Sequence, residues 1–263
     1  MVLGPRTKML MAISLAAVLA AVSLDLGWSG QGSSSDPFLV VADFFGSALS
    51  PALWTEDGTK QIMWPMILDG VLATVKFALA AMGLALAVGL PLGILAAERC
   101  WGGIGFGAVR LVIAAMRSIH ELIWAMMLLA AFGLSPATAV LAIAIPAAGT
   151  LAKVFGELID EAPAEAGQAL RTLGAGRSQA LLLGVVPRAI PGLISYVFFR
   201  FECALRSSAV LGFFGFPTLG YFIHKSVENL YFGEVWAYLY ALVALMAVAE
   251  RWSAAVRRGL VVT

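Results

Sequence analysis

Charged side chains stand inside the apolar stretches of this 263-residue chain. They form two groups: Arg200, Glu202 and Arg206 in "RFECALR", and Arg117, His120 and Glu121 in "RSIHELIWA". Guanidinium groups bind oxyanions through paired N–H donors, while carboxylates can pair with cations. These residue types therefore predict anion binding or internal ion pairs.

The residues around these charges are those of a membrane protein. Sixty-one per cent of the residues are hydrophobic and 13% are charged, against roughly 25% charged residues in an ordinary soluble domain. The apolar runs are long and continuous rather than alternating, which predicts spanning helices and not a β-barrel. We therefore expect an all-α integral membrane protein surrounded by lipid. The net charge of +1 and the lack of a basic cluster favour no nucleic-acid partner.

Six apolar runs predict about six transmembrane helices. They are Met9–Leu24, Phe77–Ala97, 108–132, 137–159, 190–211 and 235–249. The basic start of the first run also suits a secretory signal, but we expect it to be retained as a span. A polar loop, 25–63, contains a short amphipathic segment around Phe38–Leu49. We expect residues 1–63 to form a first region and residues 64–258 a core of five spans.

The distribution of Lys and Arg predicts the orientation, because these residues favour the cytoplasmic side. With six spans and both termini cytoplasmic, that side holds Arg6, Lys8, Arg99, Arg110, Lys153, Arg171, Arg177, Arg188, Arg251, Arg257 and Arg258. The opposite side holds only Lys60 and Lys225. The polar stretch 160–188 is therefore predicted to be cytoplasmic, in a multi-pass protein of the cytoplasmic (inner) membrane.

The three charges of the fifth predicted span are too costly for a helix that faces lipid. If isolated they would cost on the order of 9 kcal/mol, whereas the apolar residues of the span return roughly 5. Glu202 and Arg206 are four residues apart, so we expect them to pair on one helix face. Arg117 and Glu121 have the same spacing. Such charges either hold the bundle together or line a translocation path.

The cytoplasmic stretch has the pattern of two short helices around a glycine. It reads Gln168-Ala169-Leu170-x3-Gly174-x9-Gly184-Val185-Val186-Pro187. Ala169 and Leu170 give the first helix a small apolar face, and Gly174 allows a sharp backbone turn. Pro187 is expected to close the second helix before the next span.

This pattern resembles the ATPase-coupling loop of the permease subunits of ABC importers, which reads Glu-Ala-Ala-x3-Gly-x9-Ile-x-Leu-Pro. The resemblance implies that the loop docks on a cytoplasmic ATPase. The residues that it assigns to coupling are Glu165, Gln168, Ala169, Leu170, Gly174, Arg177 and Pro187. Gln168, Gly184 and Val186 depart from the pattern. Glu161 and Glu165 are candidates for the ionic contact that Gln168 cannot make.

Further segments resemble the phosphonate-type permeases. They are "RSIHELIWA", "LGAGR", "VVPRAIPGLISYVFFRFE" and "RSSAVLGFFG". The resemblance implies a type I ABC importer permease fold, and a substrate pathway near Arg117, His120, Glu121, Arg200, Glu202 and Arg206. It places an outer gate at "GFPTLG", with Gly212, Gly215, Pro217 and Gly220. His120 stands where these permeases have proline, so we expect a softened break in the third span. Phe216 and Pro217 should make the gate stiffer and bulkier.

The function implied by this resemblance is ATP-driven import of a phosphorus oxyanion such as a phosphonate or phosphite. The implied partners are a second permease subunit in a homodimer, two cytoplasmic ATPase subunits and an external binding protein. ATP and Mg²⁺ would bind the ATPases, since this chain has no Gly-x4-Gly-Lys-Ser/Thr loop. No catalytic residue, metal site or cofactor is predicted in this chain, which is expected not to be an enzyme.

Other functions stay open at this level. The importer could carry a different small anion or an amino-acid-like solute. A channel or secondary carrier would leave the coupling loop without a purpose. An intramembrane enzyme would have to use His120, Glu121 and Ser207 or Ser208, but neither a Gly-x-Ser-x-Gly nor a His-Glu-x-x-His motif occurs.

Overall fold

Helices account for nearly all of the structure. The computed structural model describes residues 14–16, 37–55, 61–98, 104–163 and 165–261. The predicted first span, Met9–Leu24, lies outside these residues except for 14–16. The chain divides into two units, residues 1–46 and 47–263. In the first unit, helix α1 (Pro37–Gly46) falls on the predicted amphipathic segment.

The second unit is a bundle of helices of very different lengths. These are α2 (Trp64–Ala96), α3 (Ile104–Ser118), α4 (Glu121–Phe132), α5 (Pro136–Glu161), α6 (Glu165–Thr172), α7 (Arg177–Ala180), α8 (Val186–Val210), α9 (Leu219–Glu228) and α10 (Phe232–Val261). A π-helical turn, Leu181–Val185, joins α7 to α8, and a 3-10 turn, Leu211–Phe214, follows α8. The described residues contain no strand, only one isolated bridge between Trp54 and Ile62. The all-α prediction is confirmed.

Four stretches of the described chain are long and apolar enough to cross a membrane. They are α2, α5, residues 177–214 and α10, and the bent pair α3–α4 makes a fifth. These correspond to predicted spans two to six, but two helices are longer than predicted. α2 begins at Trp64 rather than Phe77, with Pro65 in its first turn, where proline is favoured. α10 continues past Ala249 to Val261 because "ERWSAAVRR" consists mainly of helix-forming residues.

Small residues let the central helix α5 approach its neighbours closely. A side chain built on Gly93 of α2 would place its Cβ 2.6 Å from Phe155 Cβ, and one on Gly149 of α5 would lie 2.8 Å from Met116 Cβ. Any larger residue would push these helices apart. In a membrane, such close backbone packing replaces the hydrophobic driving force between helices. α5 is thus the most buried of the long helices, and α2, α3, α4 and α8 pack around it.

Candidate functional site

A sharp break interrupts the predicted third span at His120. α3 and α4 meet at 88°, and His120 has extended backbone angles (φ −64°, ψ 147°). Its imidazole Nδ1 accepts the backbone N–H of Leu122 at 3.3 Å, so the histidine caps α4 as Ser or Asn would. The expectation of a softened break was wrong. The expectation that Arg117 and Glu121 share a helix face was wrong too, since they lie on different helices.

Glu121 instead links α4 to α8. The hydroxyl of Ser207 donates to Glu121 Oε1 at 2.6 Å and also reaches the carbonyl of Cys203 at 3.2 Å. A short hydrogen bond to a carboxylate is stronger than a neutral one. The bent α3–α4 span is therefore attached to the helix that follows the predicted cytoplasmic loop.

Glu202 pairs with Arg257, and the predicted pair with Arg206 is wrong. Arg257 Nη2 lies 3.3 Å from Glu202 Oε1, and the Glu202 side chain is only 11% exposed. The reason is the length of α10, whose last turns carry Arg257 back against α8. Arg257 was expected in a cytoplasmic tail beyond the last span. Its role as a helix–helix link follows from packing and has no local sequence signal.

Arg206 points into a different environment. It is exposed and lines an apolar groove of about 600 Å³ between α8, α9 and α10. Glu250 is the other charged residue that lines this groove. The remaining walls are aliphatic or aromatic, among them Val210, Phe213 and Leu242. Arg206 therefore keeps its charge at the edge of an apolar surface instead of cancelling Glu202.

Arg117 faces a separate cavity, which we call the basic cleft. This cleft has a volume of about 420 Å³ and is lined by Ala96, Arg110, Ile113, Ala114, Arg117, Ser118, Lys153 and Glu157. Tyr196 of α8 lies within electrostatic range of Arg117, Glu157 and Arg200. Arg200 itself is partly buried, and its Nε has no hydrogen-bond partner among the described residues. The predicted pathway residues are thus divided among several surfaces.

The predicted cytoplasmic loop forms a helical hairpin. α6 ends in a turn where Gly174 has φ +91°, a conformation that favours glycine. The N–H of Ala175 reaches the carbonyl of Leu170 and the N–H of Gly174 that of Arg171, both at 3.0 Å, which closes the helix end. Leu173 at the tip is 84% exposed. Leu182 and Leu183 of the second arm are exposed as well, by 48% and 71%, so three leucines of this hairpin are left uncovered.

The second arm of this hairpin continues into the membrane helix. Pro187 was expected to end the arm, but it lies in the first turn of α8. Proline tolerates that position because its missing N–H and its ring disturb only the preceding turn. That turn is the π-helix, in which Val186 N–H donates to Leu181 O five residues back. The second arm and α8 therefore form one continuous helical stretch.

Two glycines hold the arms of the hairpin together. A Cβ on Gly184 would lie 2.7 Å from the Gly167 backbone, and one on Gly167 would lie 3.0 Å from Val185 Cγ2. Gly184 departs from the isoleucine of the coupling pattern, and this contact explains the departure. Glu165 lies 3.6 Å from Arg188, while Gln168, Ala169 and Arg177 are exposed and Leu170 is half-buried.

The predicted outer gate is closely packed. Cβ atoms on Gly212 and Gly220 would collide with Tyr221 N and Ala209 O, respectively. Gly215 has φ +90°, while Phe216 is 4% exposed and contacts the ring of Phe77. Pro217 is exposed. The segment thus combines a glycine turn with a buried aromatic anchor.

Sequence reasoning missed the link between this segment and α2. Thr74 is fully buried, accepts the N–H of Leu219 at 3.1 Å and donates to Gly70 O at 2.7 Å. Ser208 donates to Thr74 O at 2.8 Å. A single threonine thus connects α2, α8 and α9. A small hydroxyl residue in an apolar helix was the only local signal.

Most of this chain matches one family of known proteins. Residues 89–260 match the family described as "Binding-protein-dependent transport system inner membrane component". The "Phosphate-import permease protein PhnE" of Mycolicibacterium smegmatis is 30% identical over 72% of this chain. The match covers 36% of that relative, so this chain spans little more than a third of its length. The "Phosphite transport system permease protein PtxC" of Stutzerimonas stutzeri is 29% identical over 83% of this chain and 77% of its own.

A solved structure shares the same fold. An inward-facing structure of the MetNI methionine ABC transporter superposes with a TM-score of 0.68 at 21% identity, covering 75% of this chain and 97% of that one. This likeness confirms the predicted ABC importer permease fold. These two matches, together with one to a "Putative cryptic phosphonate transport system permease protein PhnE2" of Escherichia coli, confirm the predicted resemblance to phosphonate- and phosphite-type permeases.

Proposed function

The chain belongs to the family of binding-protein-dependent transport system inner membrane components, and we propose that it is the permease subunit of an ATP-driven importer of phosphorus oxyanions. Relatives that match it are described as phosphate-import and phosphite transport permeases. A multi-pass helical bundle without a phosphate-binding loop agrees with a transport role. ATP hydrolysis then belongs to partner subunits.

The cytoplasmic hairpin is the observation that carries this proposal. It presents the exposed Leu173 at a glycine turn, and its second arm is continuous with α8. An element that only connected two spans would need neither an exposed apolar tip nor a rigid junction. We infer that two ATPase subunits each receive one hairpin in a groove. Their closure on ATP would then move α8.

The moving helix reaches the rest of the bundle through named contacts. Ser207 holds Glu121 of α4, Glu202 holds Arg257 of α10, and Ser208 holds Thr74 of α2. A shift of α8 therefore changes the bend at His120 and the packed glycines of the outer gate. Alternating access needs such coupled displacement of rigid elements.

The substrate class rests on the relatives' descriptions and on arginine chemistry. Guanidinium groups match the geometry of phosphorus oxyanions. Arg206 is exposed and makes no ion pair within the described part of the chain. Such a charge eases the passage of an anion without holding it tightly. Selectivity would then come from an external binding protein.

A second permease subunit completes the pathway in this proposal. We infer a homodimer whose path lies at the two-fold axis, because cyclic two-fold symmetry is the commonest way for one chain to enclose a shared path. The alternative cargo, an amino-acid-like solute, has only a likeness of fold in its favour.

Deletion of the chain tests the proposal in its own host. Cells that lack it should lose growth on phosphite or a phosphonate as sole phosphorus source, and the wild-type gene should restore it. Uptake of labelled methionine should be unchanged. Normal phosphonate and phosphite uptake in the deletion strain, with methionine uptake lost, would replace the proposed cargo by the amino-acid alternative.

A further inference from the structure

The basic cleft holds more positive than negative charge. Three of its lining residues are basic, Arg110, Arg117 and Lys153, and one is acidic, Glu157. Its volume of about 420 Å³ falls in the range of small-molecule sites, about 300–1,000 Å³. Residues of α2, α3 and α5 form its walls, so it lies within one subunit.

Two of the three basic residues of the cleft form ion pairs, and both pairs are exposed. Arg110 lies 3.3 Å from Glu98 and Lys153 lies 3.2 Å from Glu157, with every side chain 46–66% exposed. The Arg110 guanidinium also stacks over Phe106 at 4.2 Å. Such exposed pairs are weak and exchange readily for a better anion. These pairs hold the basic side chains in place but leave them able to bind a further anion.

Arg117 is the third cation of the basic cleft. No ion pair joins it to a carboxylate within the described residues, so it is available to a ligand. It lies at the end of α3, one residue before Ser118, whose side chain also lines the cleft. Glu98 and Glu157 balance the charges of Arg110 and Lys153, so the positive charge of Arg117 remains unbalanced.

We propose that the basic cleft binds a phosphate-type group, a tetrahedral oxyanion that is either free or carried by a lipid headgroup. Arg117 is its main ligand because a guanidinium offers two parallel donors to two oxygens. Lys153 is the second, since an ammonium acts as an adaptable point charge, and Arg110 stands beside them. Ala96 lies at the end of α2, close in sequence to Arg99, which the distribution of Lys and Arg places on the cytoplasmic side, so the ligand reaches the cleft from the cytoplasm or the inner leaflet.

This site goes beyond the proposed function and does not depend on the transported solute. Glu157 competes with the ligand for Lys153, because the two residues are adjacent on one face of α5. Removing the negative charge of Glu157 from the cleft wall should therefore improve binding of the oxyanion. A merely structural role of these residues would not give that gain.

Equilibrium binding to the purified full-length chain tests the proposal. One arm measures radiolabelled inorganic phosphate by dialysis at constant ionic strength. The other measures retention of phosphatidylglycerol against phosphatidylcholine by native mass spectrometry. Arg117→Gln should weaken binding roughly 10- to 100-fold, and Glu157→Gln should tighten it roughly two- to fivefold. The exposed Arg251→Gln, which changes the charge equally, should leave binding unchanged.

The two arms separate the sources of the ligand. Changes confined to phosphate binding identify a free oxyanion, and changes confined to phosphatidylglycerol retention identify a lipid headgroup. If Arg117→Gln does not fold, Lys153→Gln and Glu157→Gln must still shift binding in opposite directions. The proposal would be overturned if wild type and every variant bound phosphate equally well and also retained phosphatidylglycerol equally well. The assay involves no transport, so its failure leaves the proposed importer function intact.

Discussion

The carboxylate of Glu202 lies 3.3 Å from the guanidinium of Arg257, although Arg206 stands one helical turn away on the same helix. This contact ties α8, which continues the helical hairpin, to the last turns of α10. It also separates two arginines that look alike in the sequence. Arg257 is a structural partner, whereas Arg206 is left at an apolar groove.

Arg257→Ala should destabilise the protein. The substitution leaves the nearly buried Glu202 carboxylate without its partner, at a cost of about 2 kcal/mol, so the apparent Tm of the purified protein should fall. The neighbouring Arg258 is exposed and makes no ion pair among the described residues. Arg258→Ala is the matched control and should leave the Tm unchanged; equal effects of the two variants would remove the role of the pair.

Arg206→Ala should act on transport and not on stability. Its side chain is exposed and pairs with neither Glu202 nor Glu250, so the stability change should stay within about 0.5 kcal/mol. Uptake should fall severalfold at unchanged abundance in the membrane, measured by transport assay and immunoblot of the same cells. Loss of the protein from the membrane would mean that Arg206 holds the bundle together after all.

Gly174→Ala should uncouple ATP hydrolysis from uptake. A side chain at φ +91° costs on the order of 1–2 kcal/mol, so the turn that presents Leu173 should change shape. ATP hydrolysis by the reconstituted complex should then lose its dependence on the binding protein. Gly83→Ala is a suitable control, because Gly83 lies within α2 with no atom near its Cβ position; an effect of similar size there would argue against a specific turn.

Gly184→Ile, which restores the residue of the general coupling pattern, should be harmful in this chain. Its Cβ would lie 2.7 Å from Gly167, and overpacking of this kind costs about 1–3 kcal/mol. We expect α6 to separate from the π-turn, with faster proteolysis of the 165–185 hairpin. Leu183→Ile, at a 71% exposed position next to it, should leave proteolysis unchanged. Resistance of Gly184→Ile to protease would show that the close contact is dispensable.

The spans and the hairpin were predictable because each leaves a local pattern. Continuous apolar runs located the helices, and the spacing around Gly174 located the turn. The start of α2 and the end of α10 were not predictable. An apolar run ends where a helix leaves its apolar surroundings, but both helices extend beyond their apolar runs. The partner of Glu202 depended on that extra length. The cap at His120 was missed because the resemblance placed proline there, and a histidine can end a helix by a different contact.

Of the residues that line the basic cleft, only Arg117 was predicted from the sequence as a functional residue. Arg110, Lys153 and Glu157 were assigned to cytoplasmic ends by charge counting, or not singled out at all. Their convergence depends on the close approach of α3 to α5, which Gly149 permits. Tertiary contacts of this kind have no signature in the local sequence.

ATP-dependent uptake by the reconstituted complex tests the central claim most directly. Proteoliposomes that contain this chain and its ATPase subunits would be given the binding protein and labelled phosphite outside, with ATP inside. We predict accumulation that requires both ATP and the binding protein, is reduced by unlabelled phosphonate and is insensitive to methionine. Phosphite entry at the same rate without ATP or without the ATPase subunits would contradict the account.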